Sequence, residues 1–259
     1  MIDRIKEAFE NGKAFIPFIT SGDPSLETTE QLVYAMDDAG ADIIELGVPF
    51  SDPTAEGPVI QAANLRALSA GTTTDKIFSM IAKIRQKTQI PLILMTYANV
   101  VYSYDTELFL KKAASVGVDG LILADVPYEE KEEFSDVCDE YGLCLISMVA
   151  PTSKERIKMI AKDAKGFVYC VSSLGVTGTR KEIKTDVSSM VKLVKEASDI
   201  PCAIGFGISM PETAREMALQ SDGAIVGSAI VKICEKYGAE SVPDVSEYVK
   251  QMKEAVSKF

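Results

Sequence analysis

Glu45 stands where a purely structural reading of the chain fails. It interrupts the apolar run Ile43-Ile44-Glu45-Leu46, where a buried strand would carry one more hydrocarbon side chain. An ionised carboxylate is costly there, so its pKa is expected to rise toward the range useful for proton transfer. A Glu paired with a neighbouring cation is the plain alternative. The segment that follows, Val48-Pro49-Phe50-Ser51-Asp52-Pro53 and then Gly57-Pro58, is long and stiffened, and it carries two more carboxylates, Asp52 and Glu56. Such excursions at strand ends are where functional side chains concentrate. Two or three carboxylates around one cavity would serve general acid–base chemistry; they would also suit magnesium, but no DxD arrangement accompanies them.

Other strand ends add less specific candidates. Asp125 in LADVPYEE, with Tyr97 and Asn99 in TYAN, reads either as part of a site or as polar caps on a rim. No lysine ends an apolar run, since Lys13 and Lys165 precede theirs, which argues against a Schiff-base aldolase. Two glycine turns are the clearest binding signal: Gly205-Phe206-Gly207-Ile208-Ser209, and Gly227-Ser228-Ala229 opening the helix AIVKIC. Small residues let backbone approach an anion, and a helix start supplies free N–H groups, although tight packing alone also wants glycine. The polar segment SSLGVTGTRKEIKTD (172–186), with Gly175 and Gly178, either closes over a ligand or is simply a long loop.

These residues need a scaffold, and the chain supplies a regular one. Eight short apolar runs alternate with helical patterns: AFIPFIT (14–20), ADIIELG (41–47), PLILMTY (91–97), DGLILAD (119–125), GLCLISM (142–148), GFVYCVS (166–172), PCAIGFG (201–207) and DGAIVGS (222–228). Continuous apolar character marks parallel strands buried on both faces. Thr152 with Glu155 and Ser209 with Glu212 have capping-box spacing, and Asp23-Pro24 and Asp105 mark further helix starts. Eight such units match a (β/α)8 barrel of about 250 residues. No glycine-rich dinucleotide fingerprint follows the first strand, against a doubly wound sheet. The expected fold is an α/β single-domain (β/α)8 TIM barrel, 1–259, with an extra N-terminal helix burying Ile2, Ile5 and Phe9 on one side. YGAESVPDVS (237–246) reads as a loop before a last docking helix.

Composition narrows the function. The 259 residues hold 38 acidic and 27 basic side chains, net −11, with a pI near 4.7 and mean hydropathy of +0.10. An acidic chain without a basic stripe is not expected to bind nucleic acid. Having no histidine, it cannot run Ser-His-Asp or Cys-His mechanisms, and it lacks the commonest zinc ligand. The five cysteines, Cys138, Cys144, Cys170, Cys202 and Cys234, form no CxxC pair and read as buried reduced thiols of a cytoplasmic protein. The start is a charged amphipathic helix without an apolar signal core, and no apolar run of membrane-spanning length follows.

From FIPFITSGDP (15–24) to GSAIVK (227–232), the chain resembles the tryptophan synthase alpha chain family. ELGVPFSDP, YANVV, ADVP, GVTG, GFGIS and GSAIV occur in family order at the expected strand ends. The resemblance implies a lyase that cleaves indole-3-glycerol phosphate into indole and glyceraldehyde 3-phosphate by a retro-aldol reaction, the first half-reaction of tryptophan synthesis. It implies no cofactor in this chain, and pyridoxal phosphate only in a partner beta chain, within an alpha2-beta2 heterotetramer. Glu45 is then the general acid and base, Glu56 contacts the indole N–H, and Tyr169 lies beside the substrate. Phe18, Ile60, Met95, Tyr97, Ile122 and Phe206 match substrate-pocket positions, and Thr177 the lid threonine. Gly178, Gly207, Gly227 and Ser228 match the phosphate grip. Asp52, Pro53, Asn99 and Pro127 match positions facing the beta chain.

Two departures stand out. The family usually has Asp where this chain has Glu56, and many relatives have Arg at Ser173; Arg180 lies on the same loop. A displacement of about 1 Å can cost roughly a hundredfold in rate, so the longer Glu56 side chain needs a compensating loop. Competing barrel activities fit less well. A triose-phosphate-type isomerase wants His, a two-phosphate isomerase a second glycine-rich site midway, and an indole-forming synthase a strand-end lysine. A non-catalytic regulator of the beta chain, or a lyase acting without partner, remains compatible with the same residues.

Overall fold

The eight apolar runs become nine parallel strands. They are β1 Ala14–Thr20, β2 Ile44–Gly47, β3 Leu92–Thr96, β4 Gly120–Leu123, β5 Cys144–Leu145, β6 Ser147–Val149, β7 Val168–Val171, β8 Cys202–Gly205 and β9 Gly223–Val226. The computed structural model describes residues 3–172, 187–205 and 207–257. Strand order is β5-β4-β3-β2-β1-β9-β8-β7-β6, so the sheet's two edges are consecutive pieces of chain. Thus the ninth strand adds no ninth unit. The fifth run is broken at Ile146: β5 pairs with β4, β6 pairs with β7, and the Ile146 N–H reaches the Leu121 carbonyl at 2.9 Å. One stave changes neighbours halfway along, and the barrel closes through it.

Side chains alternate strictly across this wall, as the pleat requires. In β1, Phe15 and Ile19 face the surrounding helices, while Ala14, Ile16 and Phe18 fill the interior. In β2, Ile44 and Leu46 face outward, which turns Glu45 inward. Parallel register sets Glu45 level with Phe18 on one side and Ile93 on the other.

The N-terminal helix Arg4–Glu10 closes the barrel floor, its Asp3 cap accepting from the Lys6 N–H at 3.1 Å. Ile5, 1% exposed, packs beneath Gly120 and Gly166, and the Phe9 ring lies 5.5 Å from that of Phe167. Burial of one such isoleucine contributes about 1.5–3 kcal/mol. Ile2 lies outside the described residues.

Several helix starts differ from the sequence reading. Ser153, not Thr152, caps the helix Lys154–Lys162, accepting from the Arg156 N–H. Where two adjacent hydroxyl residues compete, the one in extended backbone takes the cap. The helix Pro211–Gln220 starts from Met210 with no side-chain cap, because Pro211 fits the first helical turn, which moves the start past Ser209. Ser25 caps Leu26–Asp38, freeing Asp23 for another role, while Asp105 does cap Thr106–Ser115. The expected loop 237–246 is helical throughout: Tyr237 ends the helix Ser228–Tyr237, and a 3-10 turn, Gly238–Ser241, leads directly into the helix Val242–Ser257. The five cysteines are unbridged, with Cys144 half-buried rather than fully enclosed. Among the described residues no helix is long and apolar enough to cross a membrane.

Candidate active site

At the C-terminal mouth of the barrel a narrow pocket, with about 40 Å³ of enclosed space, is bounded by Glu45, Glu56 and the turn at Gly227 and Ser228. Glu45 is 1% exposed, and its Oε1 has no hydrogen-bond partner. Nothing repays the desolvation of its charged form, so burial lifts its pKa from the ordinary 4.5 to about 8. The group is therefore a protonated acid at neutral pH.

Glu56 is also raised by burial, but it has hydrogen-bond donors. Gly57 and Pro58 end its loop and start the helix Pro58–Ser69, proline serving at the first helical position. That helix turns Ile60 into the pocket and, one turn on, sets Asn64 against the loop. The Asn64 amide donates to Glu56 Oε2 at 2.7 Å, and the Tyr97 hydroxyl donates to the same carboxylate. Gln61 holds the Glu56 carbonyl at 2.7 Å, and the Ala55 N–H donates to the Tyr97 hydroxyl oxygen at 3.2 Å. Burial raises the Glu56 pKa, and the Asn64 and Tyr97 hydrogen bonds pull it back. Burial thus raises both carboxylates on this cavity, and only Glu56 has donors that offset part of the rise.

The apolar wall depends on close approaches. A Cβ at position 47 would lie 2.6 Å from Phe18 Cζ, and one at 227 would lie 3.1 Å from Phe18 Cδ1, so the ring is seated between two glycines. Gly205 leaves room for the Tyr169 hydroxyl, which a Cβ there would meet at 2.4 Å. Tyr169 is 5% exposed; burial, then the charge of Glu45, holds its phenol well above the usual range. Gly207 adopts φ +82°, open to glycine, and Ser228 opens the ten-residue helix Ser228–Tyr237 at the pocket's edge. Backbone N–H groups and a helix N-terminus there suit an anion.

The structure brings together nine of the expected site residues around this pocket: Phe18, Glu45, Glu56, Ile60, Met95, Tyr169, Gly207, Gly227 and Ser228. Ile122 is buried in the same interior layer but does not line the pocket. Tyr97 lies behind Glu56 rather than on the pocket, 2% exposed, its ring tilted at 35° to that of Phe50 with centroids 5.4 Å apart. Asp125 accepts from the Ala98 N–H at 2.9 Å, the rim-cap alternative. Asp52, Asn99 and Pro127 are exposed on the rim and Pro53 half-exposed. Thr177, Gly178, Phe206, Ser173 and Arg180 lie outside the described residues. Sequence reasoning missed Asn64 and Ile225, and named Ile208 only as part of the glycine turn. For Ile225 the signal existed: it lies on β9 two residues before Gly227, the spacing that repeats one face of extended chain.

Acid–base chemistry on an aromatic, anion-bearing substrate is what such a pocket serves, and the fold that builds it is that of the (β/α)8-barrel enzymes. The tryptophan synthase alpha chain family profile matches residues 5–257. The tryptophan synthase alpha chain of Thermoanaerobacter sp. (strain X514) is 48% identical, over 98% of this chain and 100% of its own length. That of Lacticaseibacillus casei is 43% identical, over 99% and 96%. Among solved structures, tryptophan synthase subunit alpha from Legionella pneumophila str. Paris superposes with TM-score 0.90 at 36% identity, covering 99% of each chain. A chain from the tryptophan synthase a2b2 complex of Pyrococcus furiosus gives 0.87 at 35%, covering 94% of this chain and 99% of that one. The chain belongs to the tryptophan synthase alpha chain family. It is a carbon–carbon lyase of tryptophan biosynthesis that cleaves indole-3-glycerol phosphate.

Proposed function

We propose that Glu45 and Glu56 divide the retro-aldol reaction between them. Glu45 begins protonated and delivers its proton to indole C3; the resulting carboxylate then takes the proton of the C3′ hydroxyl. The C3–C3′ bond breaks, its electron pair returns to the indole ring, and glyceraldehyde 3-phosphate leaves as the aldehyde. Glu45 ends the cycle protonated again. Glu56, whose charged form the Asn64 and Tyr97 hydrogen bonds favour, accepts from the indole N–H and offsets the positive charge that develops when C3 is protonated. The observation that carries this reading is the contrast between an acid with an unpartnered oxygen and a carboxylate with two donors across one pocket. Preorganised charge of this kind is the largest usual source of rate enhancement.

Phe18, Ile60 and Met95 would hold the indole ring, with Tyr169 beside it and Ile122 backing the pocket, while Gly207, Gly227 and Ser228 take the phosphate. Gly178, Thr177 and Phe206 keep the roles the resemblance implies. The extra methylene of Glu56 is matched by its Asn64 contact, which supports an adapted rather than an impaired site. The chain would act as one barrel domain, 1–259, a reading supported by the packing of the helix Val242–Ser257 on Leu26–Asp38 and on β1.

The chain would work without a cofactor of its own. Its partner would be a pyridoxal-phosphate beta chain in an alpha2-beta2 heterotetramer, met through Asp52, Pro53, Asn99 and Pro127; the a2b2 assembly of the Pyrococcus furiosus relative supports this. Unbridged cysteines support a cytoplasmic location. Indole release from indole-3-glycerol phosphate, measured with and without a cognate beta chain, tests the reading. Weak release that rises on adding partner is expected; no release in either condition by a folded chain that binds its partner would leave only the regulator.

A further inference from the structure

Helix Pro58–Ser69 sends a second polar residue the other way. Arg66 lies about 200° around the helix from Asn64, on the flank away from Glu56. Its Nε and Nη2 grip both oxygens of Asp23 at 2.8 Å each, and its Nη1 reaches Glu235 at 3.1 Å. Asp23 is 3% exposed and stands in the turn that leaves β1, three residues past Thr20. That turn is itself clamped: the Gly22 N–H donates to Thr29 at 2.9 Å, and Thr72, just beyond the Arg66 helix, leaves no space for a side chain at Gly22. Glu235 belongs to helix Ser228–Tyr237, whose first residue edges the pocket and which packs on the Arg66 helix.

The two halves of the pocket therefore sit on different elements of the barrel, packed against each other. Ile60 and Asn64 lie on helix Pro58–Ser69 with Glu56 just before it, while the turn at Gly227 and Ser228 follows β9 and is seated against Phe18 of β1. Arg66 is the ion-paired bridge between them. We infer that Arg66 is a positioning residue, whose two-pronged grip on Asp23 sets the distance between the indole-binding carboxylate and the phosphate-binding turn. This inference rests on the site roles proposed above. A substrate that spans both halves feels an error in that distance, whereas a ligand that fills one half does not.

The test uses Arg66→Lys, which keeps the charge opposite buried Asp23 but loses the planar fork, and Glu235→Gln, which cuts only the weaker, more exposed arm. Indole alone and glycerol 3-phosphate alone serve as half-site probes, beside steady-state cleavage of indole-3-glycerol phosphate by the chain with its beta partner. In Arg66→Lys both half-site affinities are expected to stay within about twofold while kcat falls about ten- to a hundredfold, the cost of a displacement near 1 Å. Glu235→Gln is expected to show the same pattern, reduced to about two- to threefold in kcat. Unchanged kcat in folded Arg66→Lys, or loss of half-site binding in proportion to a lowered Tm, would overturn the inference and leave Arg66 a strut of the fold. If the unaltered chain binds neither probe, the site reading fails too, and that failure is visible before any substitution is made.

Discussion

The two ends of this barrel treat polar groups in opposite ways. At the N-terminal end, Asp42, Asp119 and Asp222 each precede a strand and accept a backbone N–H from the first or second residue of a neighbouring one: Phe15 at 2.7 Å, Leu92 at 2.8 Å and Cys202 at 2.8 Å. Each is also paired with a cation, Lys253 at 2.6 Å, Arg85 at 2.6 Å with Arg4 at 2.8 Å, and Lys195 at 2.5 Å. At the C-terminal end Glu45 Oε1 and the hydroxyls of Thr20, Ser21 and Thr96 have no partner, four of the five such buried side-chain oxygens among the described residues. Unmet hydrogen-bonding capacity in a protein interior costs stability. The N-terminal aspartates are satisfied and hold the fold; at the C-terminal end Glu56 and Asp23 have partners but Glu45 Oε1 and three hydroxyls do not, and in such barrels that is the end where chemistry sits.

The largest effect is expected from Glu45→Gln. A glutamine cannot cycle a proton, so indole release should fall by about a thousandfold or more. The same change should stabilise the fold. Glu45 holds its proton in the folded chain up to about pH 8, whereas the unfolded chain releases it near 4.5. Folding therefore takes up a proton between these values, and parental stability falls by about 1.4 kcal/mol per pH unit across the window. The Tm advantage of Glu45→Gln should widen from pH 5 to pH 8 and then level off. An advantage that shrank as the pH rose would contradict the assigned pKa.

Next comes Glu56→Gln, expected to cost about a hundredfold in kcat, since one charge-stabilising group is lost while the acid remains. Asn64→Ala should cost about tenfold and move the acidic limb of the pH–rate profile upward, because the hydrogen bond that lowers the Glu56 pKa is gone. A profile that stayed in place would disconnect Asn64 from the carboxylate. The smallest effect on rate is expected at the other end. Asp119→Ala leaves Arg85, 10% exposed, without its carboxylate, and should destabilise by about 3 kcal/mol in chemical denaturation. Its kcat should change by no more than about twofold, since this end of such barrels serves stability rather than chemistry. A large loss of kcat there would erase the division between the ends.

Much of this contrast was legible in the residues. Apolar runs located every strand because parallel strands are buried on both faces, and Glu45 stood out against that background. The three aspartates were also in view, opening ADIIELG, DGLILAD and DGAIVGS within a residue of the start. Their shared task was not legible, since each serves a strand distant in sequence: Asp42 serves Phe15 and Asp119 serves Leu92. Asn64 was hidden for the same reason, as its meeting with Glu56 depends on how the loop folds back at Gly57 and Pro58. The break at Ile146 followed from closing the sheet, a property of the whole barrel that no local run records. Helix starts at Ser153 and Pro211 lay a residue or two from the expected ones because neighbouring hydroxyls and a proline compete for the same turn.

The central claim is that Glu45 enters the reaction as a buried acid. It is tested most directly by kcat/KM for indole-3-glycerol phosphate between pH 6 and pH 10, with beta chain in saturating amount, since this ratio reports ionisations of the free enzyme. The account requires the ratio to fall with rising pH through an apparent pKa of about 8, where Glu45 loses its proton. A ratio that held level or rose from pH 7 to pH 9 would contradict it.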